Sequence, residues 1–186
     1  LKVTLKLEDK PFEASPLKLD GNTLTYKRGS KEFTCSIDDF VADSAFELKK
    51  ALTPREPRPM LELGRFALHR DLFERARECG RDALALDKGL AGELAQLNDV
   101  ADTLESEGLF ALANGCLDAA DVEGARKHLN NLLARFKNSA ASRRGEALLA
   151  TLDQLATELK QKALEEEARK AQELADSELR KKRQPI

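Results

Sequence analysis

Over the first 37 residues apolar side chains fall on every second position. Val3, Leu5 and Leu7 alternate with Lys2, Thr4 and Lys6, the two-residue period of a strand with one buried face. Leu17 and Leu19 resume the alternation, and Asp20-Gly21 marks a turn that Asn22 extends. Leu24 and Tyr26 then lie between Thr23, Thr25 and Lys27, and Arg28-Gly29-Ser30 forms a second turn before Phe33, Cys35 and Ile37. The pattern predicts a meander of three or four short strands. A sheet this small hides one face only, so it needs closure or something to pack on.

Its size fits a small β-barrel of the SH3 type or a curled sheet. Ser36-Ile37-Asp38-Asp39-Phe40 reads as a strand leaving into a turn capped by Asp side chains. Phe40, Ala45, Phe46 and Leu48 predict a short helix reaching Leu52, which completes a first unit over residues 1–52. Thr53-Pro54-Arg55-Glu56-Pro57-Arg58-Pro59 then breaks the chain, because three closely spaced prolines cannot continue a helix.

From Met60 the period becomes helical. Leu61, Leu63, Gly64, Ala67 and Leu68 share one face, and Leu72, Phe73, Ala76, Gly80, Ala83, Leu84 and Leu86 form a second helix. Leu90, Leu94, Leu97, Ala101 and Leu104 form a third. Leu109, Leu112, Ala113 and Cys116 belong to a fourth, and Val122, Ala125, Leu129, Leu132, Leu133 and Phe136 to a fifth. Ser139 to Arg183 holds no Pro and one Gly, so a sixth and very long helix is expected, capping the array with a seam of Leu148, Leu152, Leu155 and Leu159. The fold class is mainly α with a small N-terminal β unit, an α+β layout.

The helical part repeats itself. A shift of 49 residues places Leu63, Gly64, Ala67, Ala76, Gly80 and Ala83 on Leu112, Ala113, Cys116, Ala125, Leu129 and Leu132. Small residues at such places let antiparallel helices approach closely, and each copy buries its apolar face only by stacking on neighbours. The stretches Leu63-Gly64-Arg65-Phe66-Ala67, Leu72-Phe73-Glu74-Arg75-Ala76 and Ala83-Leu84-Ala85-Leu86-Asp87 resemble the tetratricopeptide (TPR) family of helical repeats. A second, weaker copy runs through Ala111-Leu112-Ala113, Val122-Glu123-Gly124-Ala125-Arg126 and Leu129 to Leu133. The resemblance places TPR-like antiparallel hairpins over residues 57–139, ahead of the long helix of 140–186. The offset of 49 residues exceeds the family's usual period of about 34, so either a helix at 90–105 is inserted or it pairs with 106–118 as its own hairpin.

The resemblance implies peptide binding along the inner face of each copy's first helix. Some family members clamp a terminal carboxylate there with a Lys and an Asn. The matching positions are Leu61 with Arg65 and Phe110 with Asn114; only Asn114 fits, so the clamp is not carried over. A looser peptide-binding face of Arg58, Leu61, Arg65, Leu68, Phe110, Asn114 and Leu117 is the expectation.

Composition narrows the functional classes. The 186 residues carry 31 Lys and Arg against 33 Asp and Glu, a net charge of −2 that does not suit a nucleic-acid coat. No apolar run is long enough to cross a membrane. Cys35, Cys79 and Cys116 stand apart with no CxxC, and read as three small buried residues, with one disulfide plus a free thiol as the alternative. His69 and His128 have no Cys or second His nearby, so no metal site is expected, and no phosphate loop or nucleophile motif implies a cofactor. Opening on Leu1, the sequence reads as a soluble, trimmed product from which any leader or anchor would already have been removed, with the compartment left open.

After Lys160 acid-first pairs four apart, such as Glu165–Arg169, Glu166–Lys170, Asp176–Arg180 and Glu178–Lys182, favour an extended solvated helix. Residues 140–183 could serve as a self-association seam, and Arg180-Lys181-Lys182-Arg183 ends it as a basic, solubilising terminus. The expected function is a non-catalytic protein-interaction or scaffold module. The alternative is a small-ligand or enzymatic site at the β/helical junction near residues 36–60, where element junctions make clefts. Far-ultraviolet circular dichroism is expected to show a dominant helical signal with a minor β share; a sheet-dominated spectrum would refute the whole architecture.

Overall fold

The computed structural model describes residues 1–8 and 10–182, with the backbone alone for Leu159 and residues 174–182. Five strands, β1 (Lys2–Val3), β2 (Phe12–Glu13), β3 (Ser15–Asp20), β4 (Thr23–Arg28) and β5 (Lys31–Ser36), precede six helices. These are α1 (Ala42–Leu52), α2 (Pro57–Leu68), α3 (Phe73–Leu86), α4 (Ala91–Asp118), α5 (Val122–Arg135) and α6 (Ala140–Lys182). The layout is α+β, with a small β region followed by helices. The chain divides into two compact units, Leu1–Glu105 and Ser106–Ile186.

The strands form two small antiparallel sheets, β1-β2 and β3-β4-β5, and do not close into a barrel. Of the two expected forms the barrel is therefore not the one adopted; the meander stays open, and its buried face needs a cover. Leu24, Tyr26, Ile37 and Phe40 supply that face, and Ala45 and Leu48 of α1 cover it. Both tight hairpins place a left-handed glycine first in the loop, Gly21 at φ +58° and Gly29 at φ +65°. The expected strand through Leu7 stops short. Leu5 makes a lone bridge to Phe40, the Glu8 amide turns back to the Leu5 carbonyl at 3.1 Å, and Leu7 is 99% exposed. Pro16 interrupts the next alternation: the β3-β4 register slips between Pro16 and Lys18, which leaves Leu17 turned outward.

In the first unit α2, α3 and the start of α4 enclose one core of Leu61, Leu63, Ala67, Ala76, Ala83, Leu94, Leu97 and Ala101, joined by Phe46 of α1. The proline-rich stretch lies within this unit, and Pro57 opens α2 at its first position. The expected third and fourth helices are one continuous helix, α4, so 90–105 and 106–118 do not form a hairpin. An uninterrupted ladder carries the chain through Gly108, whose helical cost is about 1 kcal/mol and does not break it. The second unit has its own core of Ala113, Leu129, Leu132, Phe136 and Ala141.

The backbone confirms the 49-residue shift. α3 and α5 have 14 residues each and start 49 positions apart. α2 ends with the Leu72 amide on the Ala67 carbonyl (3.1 Å) and the Asp71 amide on the Leu68 carbonyl (3.1 Å). The second half of α4 ends the same way, with Asp121 on Cys116 (2.7 Å) and Ala120 on Leu117 (2.9 Å). Both pairs are the double bond of a Schellman stop, and the residue each places at positive φ is Asp71 (60°) or Ala120 (58°).

The repeat extends to a third helix, the start of α4 in one copy and of α6 in the other. Here the matching positions lie 51 apart: Leu90 with Ala141, Leu94 with Gly145, Leu97 with Leu148, Ala101 with Leu152. Arg77 of α3 bonds Asp102 of α4 at 2.5 Å, and Arg126 of α5 bonds Asp153 of α6 at the corresponding positions. One contact has exchanged its partners. A Cβ on Gly80 would fall 2.4 Å from Leu94, whereas one on Gly145 would fall 3.0 Å from Leu132 and 3.4 Å from Leu129. Gly80 faces Leu94 in the first copy, and Leu129 faces Gly145 in the second.

Gly80→Leu should therefore cost about 1–3 kcal/mol of overpacking, and adding Leu94→Ala should recover at least half of that loss. Chemical denaturation of the two single variants and the double variant measures the coupling; strict additivity would show that the two side chains do not share one volume.

Candidate functional site

The residues expected to line a peptide face are divided between the two units. In the first, Arg58 is exposed while Leu61 and Leu68 are buried in the core. Arg65 is held by Glu62 and, at 3.0 Å, by Glu93. In the second, Phe110 lies under the Arg144 guanidinium, 4.5 Å from its ring centre. The Asn114 side-chain amide donates to the Phe110 carbonyl at 3.1 Å, and Leu117 is half-buried. Leu61 and Leu68 thus share one cluster, and Phe110 and Asn114 are linked directly.

The β/helical junction holds a cation–aromatic stack. Phe66 projects from α2 toward the β-unit core. The Lys49 ammonium sits 4.1 Å from its ring centre and the Arg70 guanidinium 4.0 Å. Burial, helped by the charge of Arg70, lowers the Lys49 pKa. Arg70 in turn pairs with Asp38. That carboxylate also accepts the Asn22 side-chain amide at 2.5 Å. The hydrogen bond from Asn22 is the main cause that holds the Asp38 carboxyl below its usual range; desolvation opposes it, and the bond and charge of Arg70 add to the lowering. Asp39 completes a capping box with Ser36, accepting the Ser36 amide at 3.0 Å. The expected capping role falls to Asp39, while Asp38 fastens the β region to the end of α2.

Beside this stack, Leu17, Leu19, Leu52, Pro54 and Pro59 line an open groove of about 450 Å³, with Lys18, Lys49 and Glu62 among its polar residues. The three thiols are free. Burial pushes the Cys79 thiol up to about 11 and raises that of Cys35, so neither is primed as a nucleophile. His69 is exposed and His128 half-buried. Among the described residues no group of three His, Cys, Asp or Glu could hold a metal ion, and no helix is long and apolar enough to cross a membrane.

The second unit exposes a helix face that the sequence pattern assigned to a core. Leu112 is 55% exposed, with Gly108, Ala111, Gly115 and Ala119 exposed around it. In the first unit the positions 49 residues earlier include Pro59, Leu63 and Phe66. Leu63 is fully buried in the core that contains Phe46 of α1, and Phe66 packs on the α1 and sheet cluster. The second copy has no counterpart of α1 in its sequence, because α4 runs straight into it. The sequence signal was present: two glycines, four residues before Leu112 and three after it, on one side of a helix.

On α6, Glu166 bonds Lys170 at 2.8 Å, so one expected acid-first pair is formed. Asp176–Arg180, Glu178–Lys182 and the Leu159 side chain lie outside the described side chains, and Arg183 outside the described residues.

Comparison of the chain with protein-family models, with curated proteins and with solved structures finds no match.

Asp38 gives a pH test. Its folded pKa is depressed, so its contribution is complete above the ordinary carboxylate range near 4 and is lost as pH falls through the folded value. Asp38 is half-exposed, so solvent screening keeps the effect to about 1 kcal/mol or less. Denaturation midpoints from neutral to strongly acidic pH should fall less steeply for Asp38→Asn than for the wild type. Parallel acid limbs would remove Asp38 from the stabilising network.

Proposed function

We propose that the protein is a non-catalytic interaction module whose helical surfaces receive another protein. The observation that carries this reading is the bare face of α4 in the second unit. A helix covers the corresponding face in the first copy, and the second leaves Leu112 and its glycines in solvent. The TPR-like stretch supports the same reading, since stacked helical repeats offer extended surfaces rather than reacting groups. The groups that could react are engaged structurally: Asp38, Lys49 and Arg70 with one another's neighbours, and Cys79 in the core.

The test is covalent capture by the full chain in extracts of its native source. A protein cross-linked to the wild type and lost with Leu112→Glu supports the reading; capture no greater than that of an inert control overturns it. Leu112 is exposed, so Leu112→Glu is expected to leave the unfolding free energy within about 0.5 kcal/mol of wild type.

A second reading has its own observation. The groove at residues 17–19, 49–54 and 59–62 combines five apolar side chains with Lys49. This favours a small apolar ligand carrying an acidic group. A metabolite that raises the melting temperature of the wild type but not of Lys49→Ala would support it.

A further inference from the structure

We propose that the outer edge of β5 pairs with the same edge of a second copy of this chain, antiparallel about a two-fold axis at Phe33, so that two three-stranded sheets become one. The surface belongs to the first unit and stands independently of the interaction-module reading. Three observations lead there.

The first is the direction of the backbone groups. β5 closes the order β3-β4-β5 and is paired on one side only. Gly29 and Ser30 form a two-residue loop between the partners Arg28 and Lys31, a loop short enough for its flanking residues to exchange both hydrogen bonds. Bonded and non-bonded pairs alternate from there along an antiparallel ladder. Tyr26 with Phe33 and Leu24 with Cys35 are therefore bonded pairs, and the amides and carbonyls of Glu32 and Thr34 point away from β4. Among the described residues no backbone group meets them, and residues 31–34 are all exposed. The open edge ends at Ser36, whose amide donates to the Asp39 carboxylate at 3.0 Å.

The second is the contrast between the two edges. Sheets guard an edge with proline, a bulge, charge or a covering element. β3, at the opposite edge, has Pro16 and a register slip before Lys18, and α1 packs along it. β5 keeps a regular register throughout. From Phe33 to Ser36 it holds no charged residue, proline or glycine. Its two charges lie beside the turn, and Glu32 is held there by Lys27 at 3.5 Å.

The third names the occupant. Only residues with outward backbone groups can bond across the new junction, so the possible registers are few. Setting Glu32 against Thr34 of the second copy sets Phe33 against Phe33. Phe33 is 42% exposed and stacks on Tyr26 with ring centres 5.8 Å apart, and Tyr26 meets Phe12 and Phe40. The two aromatic rows then continue into each other across a non-bonded pair, where side chains come closest. Lys31 falls opposite Cys35, and no like charges face each other. One step in one direction opposes Glu32 to Glu32, and one step in the other opposes Phe33 to Cys35, which loses the ring contact. The edge is complementary to itself, the condition for a two-fold interface.

An edge this short buries less than a standard interface, so dimerisation is expected near ~0.1 mM. The test is sedimentation equilibrium of the full chain from about 10 μM to about 1 mM, with amide hydrogen exchange followed by nuclear magnetic resonance at both ends of the range. The wild type should pass from monomer to dimer. Exchange at Glu32 and Thr34 should slow several-fold with concentration, while Phe33 and Cys35, already bonded to β4, should not change. Thr34→Pro removes an outward amide that the sheet does not use. It should raise the dissociation constant about tenfold or more with an unchanged circular dichroism spectrum. Phe33→Lys and Phe33→Glu should each be monomeric alone and form a mixed dimer when combined, because the axis then joins opposite charges. This pair decides the matter if the proline variant does not fold.

A monomer throughout the range, a dimer indifferent to Thr34→Pro, slowed exchange confined to the helices, or the absence of a mixed dimer would overturn the proposal. So would a chain that stays monomeric and protects Glu32 and Thr34 only when an extended peptide is added, since the occupant would then be another protein's strand.

Discussion

Close approach between helices is the constraint on which the rest of this chain depends. With 5% aromatic residues, it cannot fill wide gaps between helices with rings, so the helices must come together where one side has almost no side chain. Gly64 lies against the Ala76 carbonyl, Gly80 against Leu94, and Gly145 against Leu132. A further carbon on Gly80 would collide with Leu94, and one on Gly64 or Gly145 would fit only if its neighbour gave way by a few tenths of an ångström; each contact is surrounded by alanine and leucine rather than by large rings. Dispersion and apolar burial then act over many short contacts. The same geometry explains where the charges sit. Arg77 and Arg126 reach across the rim of the packed pair to a carboxylate on the third helix in each copy. They finish a contact that the small residues have set.

The β region solves the opposite problem. Its sheets are too small to hide their own apolar face, and they remain open. The cover comes from α1 and from Phe66 of α2, and the join is fixed by polar groups at its edge. Asn22 bridges Ser36 and Asp38, Asp38 holds Arg70, and Arg70 and Lys49 lie close to Phe66. Asp38 therefore links a strand end, a helix end and an aromatic face. This lets an otherwise marginal meander share the stability of the helices beside it.

Much of this was legible in the residues. Alternation located the strands, the glycine turns located the hairpins, and the shift of 49 residues located the repeated pair of helices. Those positions are readable because a close contact tolerates few residue types, so alanine and glycine recur at the same offset. The third helix was hidden for a physical reason. Its matching positions lie 51 apart, and leucine and glycine have changed sides across the interface, so residue identity no longer repeats even though the contact does. The exposure of Leu112 is not legible in the pattern, because Leu112 shares its helical period with Ala113 and Cys116. Periodicity reports which positions can face a neighbour, and it cannot report that the neighbour, α1 in the first copy, has no counterpart in the second. The peptide face proposed from Leu61 and Leu68 had the same weakness, since both serve the core.

The exchanged contact has a consequence for the lineage of such a chain. Repeats that remain alike can be recombined, lost or multiplied, because any first helix accepts any neighbour. Here the third helix of one copy, set on the second helix of the other, would bring Gly80 against Gly145 or Leu129 against Leu94. The first pairing leaves an empty hole and the second a collision. Each copy has become the only fitting companion for its own third helix. At this contact the two copies are therefore not interchangeable, because each is held by its own pair of complementary volumes.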